Sequence, residues 1–443
     1  MRIRALIFWG MILGASPVLA ELQVVFEEQT IELSHTKDKK LQVSPARQIV
    51  LRIGVDYFYT ISDRMVKAYD IPRRKIIYIK NNQKVRELPF YAVIADRLEG
   101  FINETQTFQV LSKADVLQDK DRYGIFNIEA KYALQSDIRS AIRPRKLPSG
   151  KNKYAYNTGP DMVTVHELSK HTLIRQEPAI FERFLLYECH LHPEVRKDLI
   201  IYRRIPKQLI YRYGTGRDRR ETSLTMKSVT RINDTVFTKE LRRAPRPPIS
   251  ELDRLFVNAT ANASENAING EQYEDMFDAS MQQNYYLDAM LISVEVYLQT
   301  GASTVNAIQR LRPYFDKEPN LGRFIDGLDG SNRKSAAISL KLLEEIDRSN
   351  VFRQHIIDLT MANALKSTGK FVAAEKKYLE TLRANPYLTG VYVDLGDLYY
   401  QMGLMDKAWS TWEMALDLFP QHPMLDAVAE RNEFLLSKFP EYF

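Results

Sequence analysis

The sequence predicts two folded parts, an α+β or α/β domain with a mixed sheet followed by an all-α domain of helical repeats. One observation is that positions near the C-terminus recur with a 34-residue period, as Ala374 and Ala408 do. Another is that three prolines within 245–248 separate a β-prone half from a helix-prone half. We therefore place the α/β domain at 21–244, a proline linker at 245–248 and the helical domain at 249–443.

The first twenty residues have the composition of a secretory signal peptide. Arg2 and Arg4 precede an apolar run from 5 to 13, and small or aliphatic residues lead up to a cut after Ala20. The run is shorter than the roughly 18 to 20 apolar residues that a membrane-spanning helix needs. The sequence therefore predicts that 1–20 is removed on export to the periplasm or the medium, leaving no transmembrane segment in the mature chain.

Composition narrows the possible partners and chemistry. The net charge of +6 is a mild excess over 443 residues. Together with export, this charge makes nucleic acid an unexpected partner. The one cysteine, Cys189, cannot form an internal disulfide. Its apolar neighbours predict a buried thiol rather than a nucleophile.

Alternating β-prone and amphipathic segments predict the elements of the first half. Asn233-Asp234 is typical of a turn, which predicts a hairpin there. Residues 161–168 are predicted to form a strand, with a helix as the alternative. Residues 179–191 are predicted to form a helix or a buried strand. The predicted elements are strands 48–59, 75–80 and 107–111, helices 62–69 and 91–103, a basic loop 143–151, and a hairpin of 223–229 with 235–241.

Helical periodicity dominates after the prolines. Ser250 is a typical N-cap for the helix that follows it. Short breaks containing Gly, Asn or Pro separate the later segments. The predicted helices are 285–298, 303–314, 333–346, 352–365, the repeat helices, and a terminal amphipathic helix at 424–438.

Four positions of the repeated segment recur with the 34-residue shift. A small alanine lets two helices cross closely, an aromatic residue fills the adjacent gap, and a proline ends the second helix. This period and pattern resemble the tetratricopeptide repeat family. The resemblance implies stacked helix pairs over 357–420, capped by 424–438. The residues are Gly369, Ala374, Tyr378 and Pro386, recurring as Gly403, Ala408, Trp412 and Pro420.

The resemblance also implies a concave face lined by the first helix of each repeat. On the second repeat these positions are Tyr392, Asp394, Asp397 and Gln401, so we expect them to contact a protein partner. The alternative is that two repeats only complete a helical domain, because about three are usually needed for a free-standing solenoid.

Segments of the first half resemble the α/β domain of the curli secretion channel family. The order of the later hairpin and helix agrees with that family. The family's acylated cysteine is absent, and 170–220 is additional. The resemblance implies an accessory or assembly role in the cell envelope and no active site. It is carried by 95–101, 108–116 and 158–163.

An HExxxH motif at 166–171 raises a different class of function. His166, Glu167 and His171, with Glu188 or His190 as a further ligand, would suit a zinc-dependent hydrolase. On a helix, however, histidines five apart lie about 140° apart, which does not suit one metal ion. We expect packed or solvated histidines and no cofactor, and keep the hydrolase as the alternative.

A basic stretch interleaved with tyrosines follows the histidines. Such a stretch could bind an anionic surface such as a glycan or lipid headgroups, or it could be a solvated hairpin. Its arginines are Arg203, Arg204, Arg212, Arg217, Arg219 and Arg220. Because the docking signal is clearer than any catalytic motif, the sequence predicts a non-enzymatic exported scaffold or accessory protein.

Overall fold

The computed structural model describes residues 20–33, 41–63, 65–96, 145–150, 153–157, 162–213, 220–233, 236–245, 247–248, 250–261, 270–330 and 332–443. The chain divides into two compact units. A sheet unit comprises Met1–Pro72, Ile79–Gln83 and Arg143–Ala244, and a helical unit comprises Arg73–Tyr78, Lys84–Ile142 and Pro245–Phe443. The predicted signal peptide and the strand predicted at 107–111 lie outside the described residues.

The described strands are β1 (Glu21–Leu33), β2 (Leu41–Val43), β3 (Arg47–Ile53), β4 (Tyr57–Ser62), β5 (Met65–Asp70), β6 (Lys75–Lys80), β7 (Gln83–Pro89), β8 (Arg145–Gly150), β9 (Lys153–Asn157), β10 (Met162–Thr172), β11 (Arg204–Tyr213) and β12 (Arg220–Ile232). The order in the sheet unit is β5-β4-β3-β1-β12-β11-β10-β9-β8, and β2 pairs with β1. β6 and β7 are neighbours.

β1 is the central strand of the sheet unit. It pairs with β12 on one side and with β3 on the other, antiparallel in both cases. Leu22 and Val24 are fully buried, because alternate side chains of a strand point to one face. The register with β12 shifts between Val25 and Phe26, and Phe26 is also buried.

Two helices of the sheet unit, α1 (Glu177–Tyr187) and α2 (Pro193–Ile201), follow β10. α1 carries Pro178 in its first turn, where the missing N–H is tolerated. Its Phe184 ring stacks on Phe26 at 6.1 Å and meets Phe58 edge-on at 6.2 Å. These aromatic contacts place the core between α1 and the sheet.

Several predictions about the sheet unit are wrong. From β5 through β1 and β12 to β8, neighbouring strands run antiparallel, so the predicted mixed sheet is not found among these nine described strands. The segment predicted as helix 62–69 forms β5, which pairs with β4 over its whole length. The segment predicted as one strand at 48–59 is β3 and β4 joined by a turn at Gly54. Cross-strand pairing outweighs local propensity in these segments.

The predicted hairpin of 223–229 with 235–241 is also wrong. β12 pairs with β1 and β11 instead. Residues after the turn form a short helix, α3 (Lys239–Arg243), capped by Thr238. The predicted basic loop at 143–151 contains the strand β8. By contrast, the strand predicted at 161–168 is confirmed as part of β10, and the segment predicted as a helix or strand at 179–191 is helical as far as Tyr187, within α1.

The helical unit confirms the predicted run of helices. Ser250 caps the first of them, since its Oγ accepts a hydrogen bond from Asp253 N at 3.1 Å. Residues 90–96 are also helical, at the start of the helix predicted at 91–103. The helices are α4 (Glu251–Ala261), α5 (Gly270–Gln282), α6 (Tyr286–Thr300), α7 (Val305–Leu311), α8 (Pro319–Asp326), α9 (Arg333–Glu344), α10 (Gln354–Ser367), α11 (Phe371–Ala384), α12 (Thr389–Gln401), α13 (Met405–Leu418) and α14 (Asp426–Lys438).

Helix α6 connects the turns that precede α10, α12 and α14. Asp288 accepts a hydrogen bond from Phe352 N at 3.0 Å, and Glu295 accepts one from Asn385 Nδ2 at 2.8 Å. The carbonyl of Tyr297 lies 2.9 Å from His422 Nε2. Because α6 contacts these three turns, each before every second helix, it fixes the spacing of the helices that start there. Among the described helices, none has the length and apolar character that crossing a membrane requires.

Candidate functional site

The repeated segment forms two successive helix pairs, α10 with α11 and α12 with α13. Gly369 and Gly403 have φ of +81° and +72°, a left-handed conformation that favours glycine after a helix. This arrangement is compatible with a helical repeat. Of the eight marked residues, Ala374, Tyr378, Ala408 and Trp412 are fully buried, whereas Pro386 and Pro420 lie in the turns that follow α11 and α13.

A glycine permits close packing within the second pair. A Cβ added at Gly396 would lie 2.3 Å from Nε1 of Trp412, which no side chain tolerates. The indole therefore fits against the backbone of α12, and its Nε1 donates to the carbonyl of Val393 at 3.3 Å. This packing fixes which side of α12 is left for other contacts.

Asp394 on α12 is held by two donors from α10. Lys366 Nζ lies 3.1 Å from its Oδ1, and Asn363 Nδ2 donates to its Oδ2 at 3.2 Å. The Asn363 side chain is fixed in turn by a hydrogen bond from the Tyr378 hydroxyl. Lys366 and Asp394 are 13% and 14% exposed, so this pair is mostly covered.

Asp397, one turn further along α12, faces α14. Arg431 Nη1 lies 3.7 Å from its Oδ1, and both side chains are 38% exposed. The guanidinium is positioned over the rings of Tyr400 and Trp412, at 4.6 and 5.1 Å from their centroids. Its Nη1 is buried and has no hydrogen-bond partner among the described residues, because its distance from the Asp397 carboxylate is too long for a hydrogen bond.

We call Lys366, Asp394, Asp397 and Arg431 the charged row. Burial raises the pKa of Asp397 above its ordinary value, and the Asp394 carboxylate adds to this shift, while Lys366 and Arg431 oppose it. The row carries two positive and two negative groups on three helices. It therefore presents balanced charges, with the two carboxylates between the two cations, rather than a field of one sign.

The predicted contact residues divide into two sets. One set lies on the open side of α12: Asp394 and Asp397 belong to the charged row, and Gln401 is exposed. Tyr392 is instead fully buried, and its hydroxyl donates to the carbonyl of Pro386 at 3.1 Å. Its ring also meets Phe256 of α4 at 6.2 Å. Tyr392 is therefore removed from the contact residues, because α4 covers it.

Sequence reasoning missed Lys366, Asn363 and Arg431. The repeat itself contains a signal for two of them, since Asn363, Asp397 and Arg431 follow one another at the 34-residue spacing. Counting 34 residues back and 34 residues forward from Asp397 leads to Asn363 and to Arg431. The third, Lys366, precedes Tyr400 by the same spacing.

The HExxxH motif lies on the strand β10, not on a helix. Glu167 has φ of +43°, just before the register with β11 shifts between Leu168 and Thr172, and its carboxylate lies 2.6 Å from Lys207 Nζ. Burial lowers the pKa of His166, and Lys153 contributes in the same direction. This favours a neutral imidazole, but the strand does not provide the helical geometry of a zinc-hydrolase motif.

The further ligands predicted for that site have other contacts. Glu188 accepts hydrogen bonds from Lys67 Nζ at 3.0 Å and from the Tyr69 hydroxyl. His190 has a positive φ of 52° in the turn after α1. Among the described residues, no group of three or more His, Cys, Asp or Glu side chains is arranged to hold a metal ion. His171 therefore belongs to no such group.

The arginines of the basic stretch differ in their exposure. Arg203, Arg204 and Arg220 are exposed, and Arg203 Nε donates to the carbonyl of Leu173 at 3.3 Å. Arg212 is bound to Glu221 across β11 and β12, with Nε to Oε2 at 2.8 Å. Arg217 and Arg219 lie outside the described residues.

Comparison with protein families and with curated proteins gives no match. The residues that carry the resemblance to the curli secretion channel family lie mainly outside the described part of the chain. The geometry of the charged row therefore stands as the observation from which a function has to be inferred.

Proposed function

We propose that this protein is an exported accessory or scaffold protein of the cell envelope, and that its helical unit docks a protein partner along the charged row. The proposal extends the resemblance to tetratricopeptide repeats. It is supported by the position of the row on α10, α12 and α14, and by the 34-residue spacing between Asp397 and Arg431.

The observation that carries the proposal is the Asp397–Arg431 pair. Charged side chains that only stabilise a fold are usually joined by hydrogen bonds when they are partly buried. Here the two side chains are separated by 3.7 Å and remain 38% exposed. The Arg431 guanidinium is nevertheless fixed by the Tyr400 and Trp412 rings. A guanidinium that is fixed in place and still partly exposed is suited to an acceptor from another molecule.

The chemistry of the row indicates an extended polar peptide as the ligand. A peptide backbone offers a carbonyl to Arg431 and an N–H to Asp397 at neighbouring positions. Gln401 is exposed at the end of α12 and provides both a donor and an acceptor. The four charges of the row cancel, so the row has no net charge with which to attract a strongly basic or strongly acidic segment.

We expect a photoreactive amino acid at Gln401 to crosslink a defined partner in the native host. The reason is that Gln401 lies on α12, beside the charged row but not in it. The crosslinked band should decrease roughly fivefold or more when Asp397 and Arg431 are both replaced by alanine. This is the effect expected of interface residues whose truncation costs more than about 1 kcal/mol of binding free energy. Mass spectrometry of the band identifies the partner.

The matched control places the same photoreactive group at Lys376 on α11, whose side chain is 75% exposed. Equal bands from the two positions would mean that the crosslink reports random encounters. A Gln401 band that persists in the Asp397→Ala/Arg431→Ala variant would show that the partner does not use the charged row.

Export is the second part of the proposal, and it is supported by the composition of the first twenty residues. A cut after Ala20 would leave β1 complete, since β1 begins at Glu21. We expect the protein recovered from a periplasmic or secreted fraction to begin at Glu21, as read by N-terminal sequencing. Replacing Ala20 by a bulky residue such as Ala20→Phe should leave unprocessed precursor. Recovery of a full-length chain from the cytoplasm would contradict export.

A further inference from the structure

Three tyrosines and a carboxylate of the sheet unit surround one lysine side chain. Lys146 lies on β8, and its Nζ is 4.6 Å from the ring centroid of Tyr154, 4.9 Å from that of Tyr202 and 5.7 Å from that of Tyr156. We call Tyr154, Tyr156, Tyr202 and Asp198 the tyrosine cage. Each distance lies within the range for attraction between a cation and an aromatic face.

Two walls of the tyrosine cage are nearly parallel. The rings of Tyr154 and Tyr202 lie 6.3 Å apart with an interplanar angle of 17°. They come from different elements, since Tyr154 is on β9 and Tyr202 directly follows α2. Tyr156 is the direct cross-strand partner of Lys146 in the β8–β9 register, so it lies beside the same ammonium group.

The cage also offers acceptors to two of the three N–H groups of a primary ammonium. Lys146 Nζ donates to Asp198 Oδ2 at 2.7 Å and to the Tyr202 hydroxyl at 2.5 Å. The Tyr156 hydroxyl donates to the same Asp198 oxygen. Burial alone would lower the pKa of Lys146, but these hydrogen bonds outweigh burial and raise it. The ammonium is therefore held as a cation.

The lysine that occupies the cage is on a strand that can separate from it. Among the described strands, β8 is the last in the order of the sheet unit and pairs with β9 alone. Pro148 in β8 cannot donate a hydrogen bond to this ladder. Residues 145–148 are exposed. Terminal strands of this kind open at low free-energy cost, whereas the cage residues belong to β9 and to the end of α2.

We infer that the tyrosine cage is a binding site for the lysine side chain of a partner protein, and that Lys146 is a built-in competitor for it. The cage has aromatic walls for the cation and two oxygen acceptors, and a primary ammonium can donate to both of them. A quaternary ammonium has no N–H groups and would lose the contacts to Asp198 and Tyr202. The inference concerns the sheet unit and does not depend on the charged row.

The test uses the full mature chain with n-butylammonium as the probe, because it has the same charge and end group as a lysine side chain. Lys146→Ala is expected to bind the probe at least about tenfold more tightly than the unaltered protein, because the competitor is gone. Binding is measured by ligand-observed NMR titration. Adding Asp198→Asn to Lys146→Ala should abolish the gain.

The control is Lys207→Ala, which removes another exposed lysine paired with a carboxylate, Glu167. Circular dichroism checks that each variant is folded, and Lys146→Ser replaces Lys146→Ala if the alanine variant is not. The inference is overturned if the folded Lys146 variant shows no saturable binding of n-butylammonium. It is also overturned if Lys207→Ala shows the same gain in affinity. Equal affinity for tetramethylammonium would overturn the assignment to primary ammonium groups.

Discussion

Replacing Glu295 with glutamine is expected to lower the free energy of unfolding of the helical unit by about 3–5 kcal/mol, the cost of breaking a buried ion pair from one side. Glu295 is 5% exposed, and Arg353 Nε donates to its Oε2 at 2.7 Å. His355 Nε2 and Asn385 Nδ2 each lie 2.8 Å from its Oε1. Glutamine has the same shape but leaves the Arg353 guanidinium without a counter-ion.

The effect is large because Glu295 connects α6 to the start of α10 and to the turn before α12. Tryptophan fluorescence during denaturant unfolding measures it selectively. After removal of the predicted signal peptide, the two remaining tryptophans, Trp409 and Trp412, both lie in the helical unit. The matched control is Glu274→Gln, whose side chain is 75% exposed and lies 3.8 Å from Arg310. It should change the stability by less than about 1 kcal/mol.

The same group predicts a dependence on pH. Burial would raise the pKa of Glu295, but hydrogen bonds from His355 and Asn385 and the nearby cations outweigh burial and lower it to about 2 from 4.5. A carboxyl group whose pKa is lower in the folded than in the unfolded state stabilises the fold when the pH is above its unfolded-state pKa. This contribution is lost as the pH falls from about 5 towards 2. In Glu295→Gln this part of the acid sensitivity should be absent. An unchanged acid profile would contradict the assignment.

The second large effect is expected for Trp412→Ala, which should cost about 3–5 kcal/mol of stability, as other buried tryptophan truncations do. The indole is fully buried, and it fills the space that Gly396 leaves against α12. It also packs edge-on against Trp409 at 4.9 Å. Removal would leave a cavity between α12 and α13. It would also remove one ring from beneath the Arg431 guanidinium.

Trp409 remains as the fluorescent reporter for this measurement. The control is Phe352→Ala, because Phe352 is an aromatic residue of the helical unit that is 74% exposed. Its loss should change the stability by no more than about 1 kcal/mol. If the two variants unfolded at the same denaturant concentration, the packing of α12 on α13 would not depend on the indole. A Trp412→Phe variant should recover part of the loss, since it refills part of the cavity.

Local patterns predicted the helical unit better than the sheet unit for a physical reason. A helix pairs its backbone within one segment, so its period and its caps are present in the sequence, as at Ser250 and at Gly403. A strand pairs with segments far away along the chain. Nothing within 62–69 indicates that β4 lies alongside, and the segment is therefore a strand although its local pattern favoured a helix.

The candidate site shows the same division. The resemblance to tetratricopeptide repeats predicted that Tyr392, Asp394, Asp397 and Gln401 of α12 would contact a partner. It did not predict that Phe256 of α4 would cover Tyr392, because α4 lies outside the repeat. Likewise, the β-prone residues before His166 predicted the strand, but only the tertiary contacts gave Glu167 the partner Lys207.

By itself, the sequence determined the helix pairs, the positions of their packing residues and the class of the two halves, because these depend on periodicity and on local backbone preferences. Only the tertiary structure decided which strands pair, which surface of α12 stays open, and that Lys146 occupies a cage built from β9 and α2. Those outcomes depend on contacts between residues distant along the chain, which compete with one another for the same surface and which no local pattern encodes.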